Sequence, residues 1–254
     1  MRIISYNVNG LRAAQKKGLL QWLAASAPDV LCLQETKAHP EQVDGEPYRQ
    51  MGYRMYWHSA EKKGYSGVAL LCREEPDQLV AGCGIDYIDR EGRVLRADFG
   101  ELTILSVYIP SGTNPERQGF KMQFLADFQK YVRQLLLERP LVIISGDYNI
   151  CHKAIDIHNP VQNKNTSGFL PEEREWVDHF LDEGMIDAFR EFHPEPHQYS
   201  WWSYRANARA NNKGWRIDYN MVSTALQERL SRAFILPEAH HSDHCPVGVE
   251  LRDA

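Results

Sequence analysis

Ten short runs rich in β-branched and aromatic residues, at 2–8, 29–34, 53–58, 67–72, 93–99, 102–109, 141–145, 216–222, 232–236 and 246–251, constrain this chain more than any other feature. Ten strands exceed the usual size of one open sheet, so two packed sheets are expected. Three segments between the runs have helical period. Residues 119–138 place Phe120, Phe124, Phe128, Tyr131, Val132, Leu135 and Leu136 on one face, and Pro140 stops the pattern. Residues 171–183 open with Pro171, Glu172 and Glu173, as a helix start should, and Gly184 follows the end. The third, 16–26, carries Leu19, Leu20, Trp22 and Leu23 ahead of Pro28. The expected fold class is α/β: a four-layer sandwich, with two mainly antiparallel sheets face to face and helices outside. No low-complexity linker divides the chain, so residues 1–254 read as a single domain, and 150–170 reads as a long functional loop. A short echo, Ile-Ile-Ser-Tyr-Asn at 3–7 and Ile-Ile-Ser-Gly-Asp at 143–147, is what a duplicated half with one sheet each would leave.

The apolar runs repeatedly end on an acid, an amide or a histidine. The first ends at Asn7, the second at Glu35, and Leu-Val-Ile-Ile-Ser-Gly leads to Asp147 and Asn149; Asp218 lies within Trp-Arg-Ile-Asp-Tyr, and Ser242, Asp243 and His244 precede the last run. Strand ends can bring residues from distant parts of a sequence to one rigidly held place. Carboxylate and amide oxygens without thiolates suit a hard cation, and Glu35 with Asn7 and Asp243 is the expected ligand set. A histidine among carboxylates keeps its proton more readily, so His244 can donate to a phosphate oxygen. Taken singly, each of these residues also fits a turn or cap role.

Composition narrows the setting. Hydrophobic residues at 43% and charged residues at 25% are ordinary for a folded soluble chain. No apolar run approaches the roughly 18 residues of a membrane span. The Met-Arg-Ile-Ile-Ser-Tyr-Asn start is too short and polar for a signal peptide, and the lack of any extension before it suggests a compact cytoplasmic, bacterial form. The five cysteines, odd in number and without a CxxC pair, read as reduced and structural. A net charge of −5 sits awkwardly with nucleic-acid binding, which favours a basic face. A metal-dependent site concentrates carboxylates, however, and the Lys and Arg residues cluster at 12–17, 62–63 and 205–216.

The segments Asn7-Val-Asn-Gly-Leu-Arg-Ala, Leu33-Gln-Glu-Thr-Lys, Gly64-Tyr-Ser-Gly-Val-Ala, Tyr108-Ile-Pro, Gly146-Asp-Tyr-Asn, Gly214-Trp-Arg-Ile-Asp-Tyr and Ser242-Asp-His-Cys-Pro occur in that order. In them the chain resembles, over essentially its full length, the exonuclease III family of apurinic/apyrimidinic endonucleases in the deoxyribonuclease I-like superfamily. The resemblance implies Mg²⁺-assisted phosphodiester hydrolysis 5′ to abasic sites in double-stranded DNA, with 3′-exonuclease and 3′-phosphatase activity on blocked 3′ ends, Mn²⁺ as a substitute cation, and a monomer. It implies that Glu35 is the principal metal ligand, with Asn7 and Asp243 in support. Asp147 would activate the attacking water, Asn149 would orient it, Tyr108 would contact the scissile phosphate, and Asp218 would orient His244. An ionised Tyr108 is the alternative base.

By the same resemblance Trp201, Trp215 and Ile217 line a pocket for a base-less sugar, and Arg205 enters the duplex. Extruding an abasic nucleotide costs less because no base must be unstacked. Asn9, Arg12, Lys37, Lys63 and Tyr65 are the remaining candidate DNA contacts. Asn9 stands where some relatives carry Asp, and the loops after Pro110 and at 150–170 vary among members with different balances of activity. A superfamily phosphatase on a non-DNA substrate would share the carboxylate and histidine chemistry without needing the aromatic and basic stretch from Trp201 to Trp215. A DNA-binding module without catalysis would not need the full set of catalytic residue types.

Overall fold

The computed structural model describes residues 1–252. In chain order its elements are β1 (Arg2–Asn7), α1 (Leu11–Lys16), α2 (Leu19–Ser26), β2 (Val30–Gln34), α3 (Glu46–Gln50), β3 (Arg54–His58), β4 (Val68–Cys72), β5 (Gln78–Ala81), α4 (Asp86–Asp89), β6 (Val94–Phe99) and β7 (Leu102–Tyr108). There follow α5 (Pro115–Glu138), β8 (Leu141–Asp147), α6 (Pro160–Asn163), α7 (Pro171–Asp182), β9 (Met185–Asp187), α8 (Ala188–Phe192), β10 (Asp218–Ser223), β11 (Leu230–Ile235) and β12 (Val247–Leu251). The strands form two six-stranded sheets, ordered β11-β12-β1-β2-β4-β3 and β5-β6-β7-β8-β10-β9. Each holds one central parallel pair, β1 with β2 and β7 with β8; the other pairings are antiparallel.

Three apolar layers follow from the period of two along the strands. Ile3, Cys32, Val68 and Leu70 of the first sheet meet Leu95, Ile104, Ile143 and Val222 of the second between the sheets. The opposite face of the first sheet, with Ile4, Leu31 and Leu33, packs on Leu11, Leu19 and Leu23 of α1 and α2. The outer face of the second, with Leu105, Ile144 and Met221, packs on Phe124 and Phe128 of α5 and Phe180 of α7. The expected four layers are therefore present. No described helix is long and apolar enough to cross a membrane, and the five cysteines are free thiols, four of them buried.

Some expected boundaries move. The helix expected over 16–26 starts only at Leu19, because Gly18, at φ +96, turns the chain between it and a separate helix, α1, that ends at Lys16. Helix α5 starts four residues before the expected 119, where Asn114 accepts the Arg117 N–H and Pro115 takes the first helical position. Strand β10 begins at Asp218, which leaves Trp215, Arg216 and Ile217 in the connection before it. The two unexpected strands are short: β5 is a largely exposed edge strand and β9 has three residues. The two sheets share one strand order, as a duplication would require, but the echo pairs the wrong strands. The sequence resemblance matches β1 with β8, whereas the topology matches β1 with β7 and β2 with β8.

Candidate active site

At one end the inter-sheet layer changes from apolar to polar. Along the inward positions Ile3 is followed by Ser5 and Asn7, Cys32 by Gln34, Ile104 by Ser106 and Tyr108, Ile143 by Ser145 and Asp147, and Val222 is preceded by Asn220 and Asp218. Buried hydroxyls and amides satisfy one another below the rim. Ser5 donates to Gln34 Oε1 at 3.2 Å, Gln34 Nε2 to Ser106 Oγ at 3.0 Å, and Ser145 to Asn220 Oδ1 at 2.6 Å. Register then aligns three functional side chains: Asp147 pairs with Tyr108 on β7 and with Asp218 on β10, one row across the second sheet. Asn7 ends β1 opposite, beside Gln34.

The loops just past these strands hold the rest. Asn9, Glu35, Lys37 and Asn149 all have left-handed backbone, at φ 45, 49, 48 and 52. Conformations of that cost concentrate where surrounding structure fixes a side chain for function. Asn7 joins the two sheets through its amide, donating to Glu35 Oε1 at 2.9 Å and to Asp147 Oδ2 at 2.8 Å, while its Oδ1 accepts the Asn9 N–H. In this arrangement Asn7 serves as a donor to both carboxylates. Asp147 also accepts the Asn149 N–H at 2.8 Å, and Asn149 Nδ2 bonds the Ile109 carbonyl at 2.9 Å and Asp147 Oδ2 at 3.2 Å.

His244 donates from Nδ1 to Asp218 Oδ2 at 2.9 Å, and its Nε2 lies 3.8 Å from Asp147 Oδ2. Asp218 is held in turn by Ser200, whose hydroxyl reaches Oδ2 at 2.6 Å. Burial works against a charged His244, but Asp218, Asp147 and Asp243 outweigh it and raise its pKa to about 10. Burial pushes Asp147 up, to about 7; the His244 cation opposes this, and Asp218 and Glu35 reinforce it. Tyr108 is also raised, far above the ordinary phenol, by burial and by Glu35 and Asp147, so its hydroxyl stays neutral.

Glu35 is affected in the other direction. Burial opposes its ionisation, yet Lys37, at 2.8 Å from Oε2, together with Asn7 and His244 holds it below the ordinary carboxylate range. Asp243 is likewise lowered despite burial, by His244, Asn9 and Trp201. Its oxygens are engaged: Oδ1 accepts from Asn9 Nδ2 at 2.9 Å and Ser242 at 3.1 Å, and Oδ2 from the Trp201 indole at 3.0 Å. One ligand atom each from Glu35, Asp147 and His244 falls within 4.8 Å of the others. Of these, the carboxylate oxygens of Glu35 and Asp147, with no thiolate beside them, fit a hard divalent cation, whereas protonated His244 has no lone pair to offer one. Asp243 is not in that cluster.

A cavity of about 430 Å³ opens over this centre, and Glu35, Tyr108, Asp147, Asn149, Asp243 and His244 line it together with Trp201, Trp215 and Ile217. The two indoles meet edge to face at 5.7 Å over an apolar floor of Cys151, Ile157, Phe169 and Ile217. Arg12 and Lys37 line a separate groove with Lys16. Lys63 and Arg205 are exposed outside the cavity. The Tyr65 hydroxyl is taken up by Glu91, Arg93 and Arg117. Asp218 stands behind His244, away from the lining.

Several contributors escape a reading by residue type. Ser111, Gly112, Thr113, Thr166, Ser167 and Gly168 complete the cavity wall from two loops. The buried ion pair of Lys121 and Glu173, 2.6 Å apart, lies beneath them. Lys121 left a trace in the sequence, since it falls three residues before Phe124 on the buried face of α5.

The profile of the Endonuclease/Exonuclease/phosphatase family matches residues 4–244. An exodeoxyribonuclease of Bacillus subtilis is 44% identical over 250 residues, covering 97% of this chain and 98% of that one. A DNA repair nuclease of Danio rerio, APEX1, is 41% identical over 257 residues, covering 99% and 82%. Among solved structures, a 3′ phosphatase from Neisseria bound to a product DNA hairpin superposes with a TM-score of 0.92 at 28% identity, covering 100% of both chains. An AP endonuclease from Archaeoglobus fulgidus gives 0.91 at 28% identity with the same coverage. Together with the strand-end carboxylates and the Asp218–His244 pair, these likenesses mean that the chain belongs to the endonuclease/exonuclease/phosphatase family, in its exonuclease III branch of apurinic/apyrimidinic endonucleases.

Proposed function

We propose that the chain, as a single-domain monomer in the cytoplasm, incises the DNA backbone 5′ to abasic sites with Mg²⁺ as cofactor and also processes blocked 3′ ends. The observation that carries this reading is the continuity of one cavity: the indoles of Trp201 and Trp215 and the side chain of Ile217 adjoin Asp147, Asn149 and His244. A sugar without its base fits against that apolar wall, and an intact nucleotide needs more room and must first be unstacked.

Asp147, near 7 and oriented by the N–H groups of Asn7 and Asn149, takes a proton from water as the water oxygen bonds to phosphorus. The P–O3′ bond breaks and O3′ takes a proton from solvent, to which Asp147 later returns its own, leaving a 3′-hydroxyl on one side and a 5′-phosphate on the abasic sugar. The cation at His244 and the neutral hydroxyl of Tyr108 stabilise the phosphate oxygens in the transition state. Asp218 fixes the ring of His244. Glu35 would hold Mg²⁺, which would supply charge neutralisation at the phosphate when bound; Asp243 would support it through water, and Asn7 would steady the ligand by donating to Glu35 Oε1. Asn9, Arg12, Lys37, Lys63, Tyr65 and Arg205 are proposed to contact the flanking DNA.

Product end groups test the reaction. A cut abasic strand should carry a 3′-hydroxyl that a polymerase extends directly. A 3′-unsaturated aldehyde would mean β-elimination and would overturn the hydrolytic reading.

A further inference from the structure

Lys121 and Glu173 are fully buried and 2.6 Å apart, in α5 and α7. Those helices already meet through Phe124, Phe128, Trp176 and Phe180. A buried pair adds little net stability compared with apolar packing of similar size, so its position asks for another explanation. The remaining hydrogen bonds of the pair run mainly to the cavity wall. Lys121 Nζ donates to the Asn149 carbonyl at 2.8 Å. Glu173 Oε2 accepts the N–H of Gly168 at 2.6 Å and of Leu170 at 3.0 Å, and Oε1 accepts the Ser167 hydroxyl at 3.2 Å.

Both anchored points are sensitive ones. Asn149 is in the left-handed conformation that aims its side chain at Asp147. Gly168, at φ +95, lies so close to the Trp215 ring that a Cβ there would be 2.7 Å from it. One charge thus holds the residue beside the water-activating carboxylate, and its partner holds the backbone against the pocket indole.

We infer that Lys121 and Glu173 are positioning residues that keep the seat of the sugar and the attacking-water side of the site in register. This rests on the proposed function, because it assigns Trp215 to the sugar and Asn149 to the water. Displacing reacting groups by about 1 Å costs on the order of 10²-fold in rate, so the effect should appear in kcat.

The test compares wild type, Lys121→Met, Lys121→Arg and the double variant Lys121→Met with Glu173→Gln. Turnover is measured on whichever of an abasic duplex or a 3′-phosphate duplex the wild type processes, with thermal midpoint and duplex affinity alongside. Wild-type inactivity on the abasic duplex would defeat the proposed function while leaving the pair testable on the other substrate. Lys121→Met should lose about 10²-fold in kcat, with duplex affinity little changed, and Lys121→Arg should recover most of it. The double variant leaves no lone buried charge, so its midpoint should recover while its kcat stays low. If kcat instead follows the midpoint across the series, the pair is merely structural and the inference is wrong. Should the double variant not fold, Lys121→Met assayed well below its own midpoint decides: wild-type kcat there overturns the inference.

Discussion

Asp147 and His244 face each other 3.8 Å apart, the first raised to about 7 and the second to about 10. Water activation needs Asp147 ionised, so turnover should fall as pH drops through about 7; charge stabilisation needs His244 protonated, so it should fall again as pH rises through about 10. A pH–kcat profile on an abasic duplex that is flat between 5 and 9 would contradict the role of Asp147, and one flat between 9 and 11 would contradict that of His244. Asp147→Asn preserves shape and should lower kcat by ~10²–10⁴-fold with duplex binding retained; single-turnover kinetics beside a binding titration would show it. The residue types at strand ends were legible in the sequence because carboxylates and amides stand out after apolar runs. What they do in pairs was not. The Asn7 amide as a bridge between Glu35 and Asp147, and the engagement of both Asp243 oxygens, depend on distances across two sheets. That burial and the neighbouring carboxylates keep the Tyr108 hydroxyl neutral was likewise out of reach of the sequence.

At the level of elements, the segment 150–170 is fixed from below by charge. Asp156 meets Arg216 at 2.7 Å and also pairs with Arg190, and Arg216 reaches Asp187 at 2.6 Å, immediately beside Trp215 and Ile217. Burial opposes the Asp156 charge, but Arg216 and Arg190 lower its pKa to about 2, so its contribution is present above the ordinary carboxylate pKa and is lost as pH falls through about 2. Asp156→Ala should cost about 3–5 kcal/mol, read from urea denaturation at neutral pH; a loss under about 1 kcal/mol would show that the loop does not depend on this contact. Trp215→Ala should weaken abasic incision more than 3′-phosphate release, and equal losses would count against the sugar pocket. The strands and long helices were readable from their period. Strand β5 was not, because an exposed four-residue edge has no apolar pattern, and Glu173 read only as an acid at a helix start, since its partner lies 52 residues away on α5.

For the whole molecule, a net charge of −5 coexists with a basic groove lined by Arg12, Lys16 and Lys37 beside an acidic centre. Affinity for duplex DNA should fall linearly in log–log form with salt, with a slope of about −0.9 per phosphate neutralised; no dependence on salt would remove the groove from the interface. Four layers could be anticipated from the number of strands, but the matched strand orders of the two sheets could not, because a five-residue echo does not fix register. The most direct measurement is incision of a duplex carrying one synthetic abasic site, with Mg²⁺, with a chelator, and beside the same duplex intact. Rapid cutting 5′ to the abasic site with Mg²⁺, abolished by the chelator and absent from the intact duplex, is the result expected. An abasic strand left whole in the presence of Mg²⁺ would contradict the account.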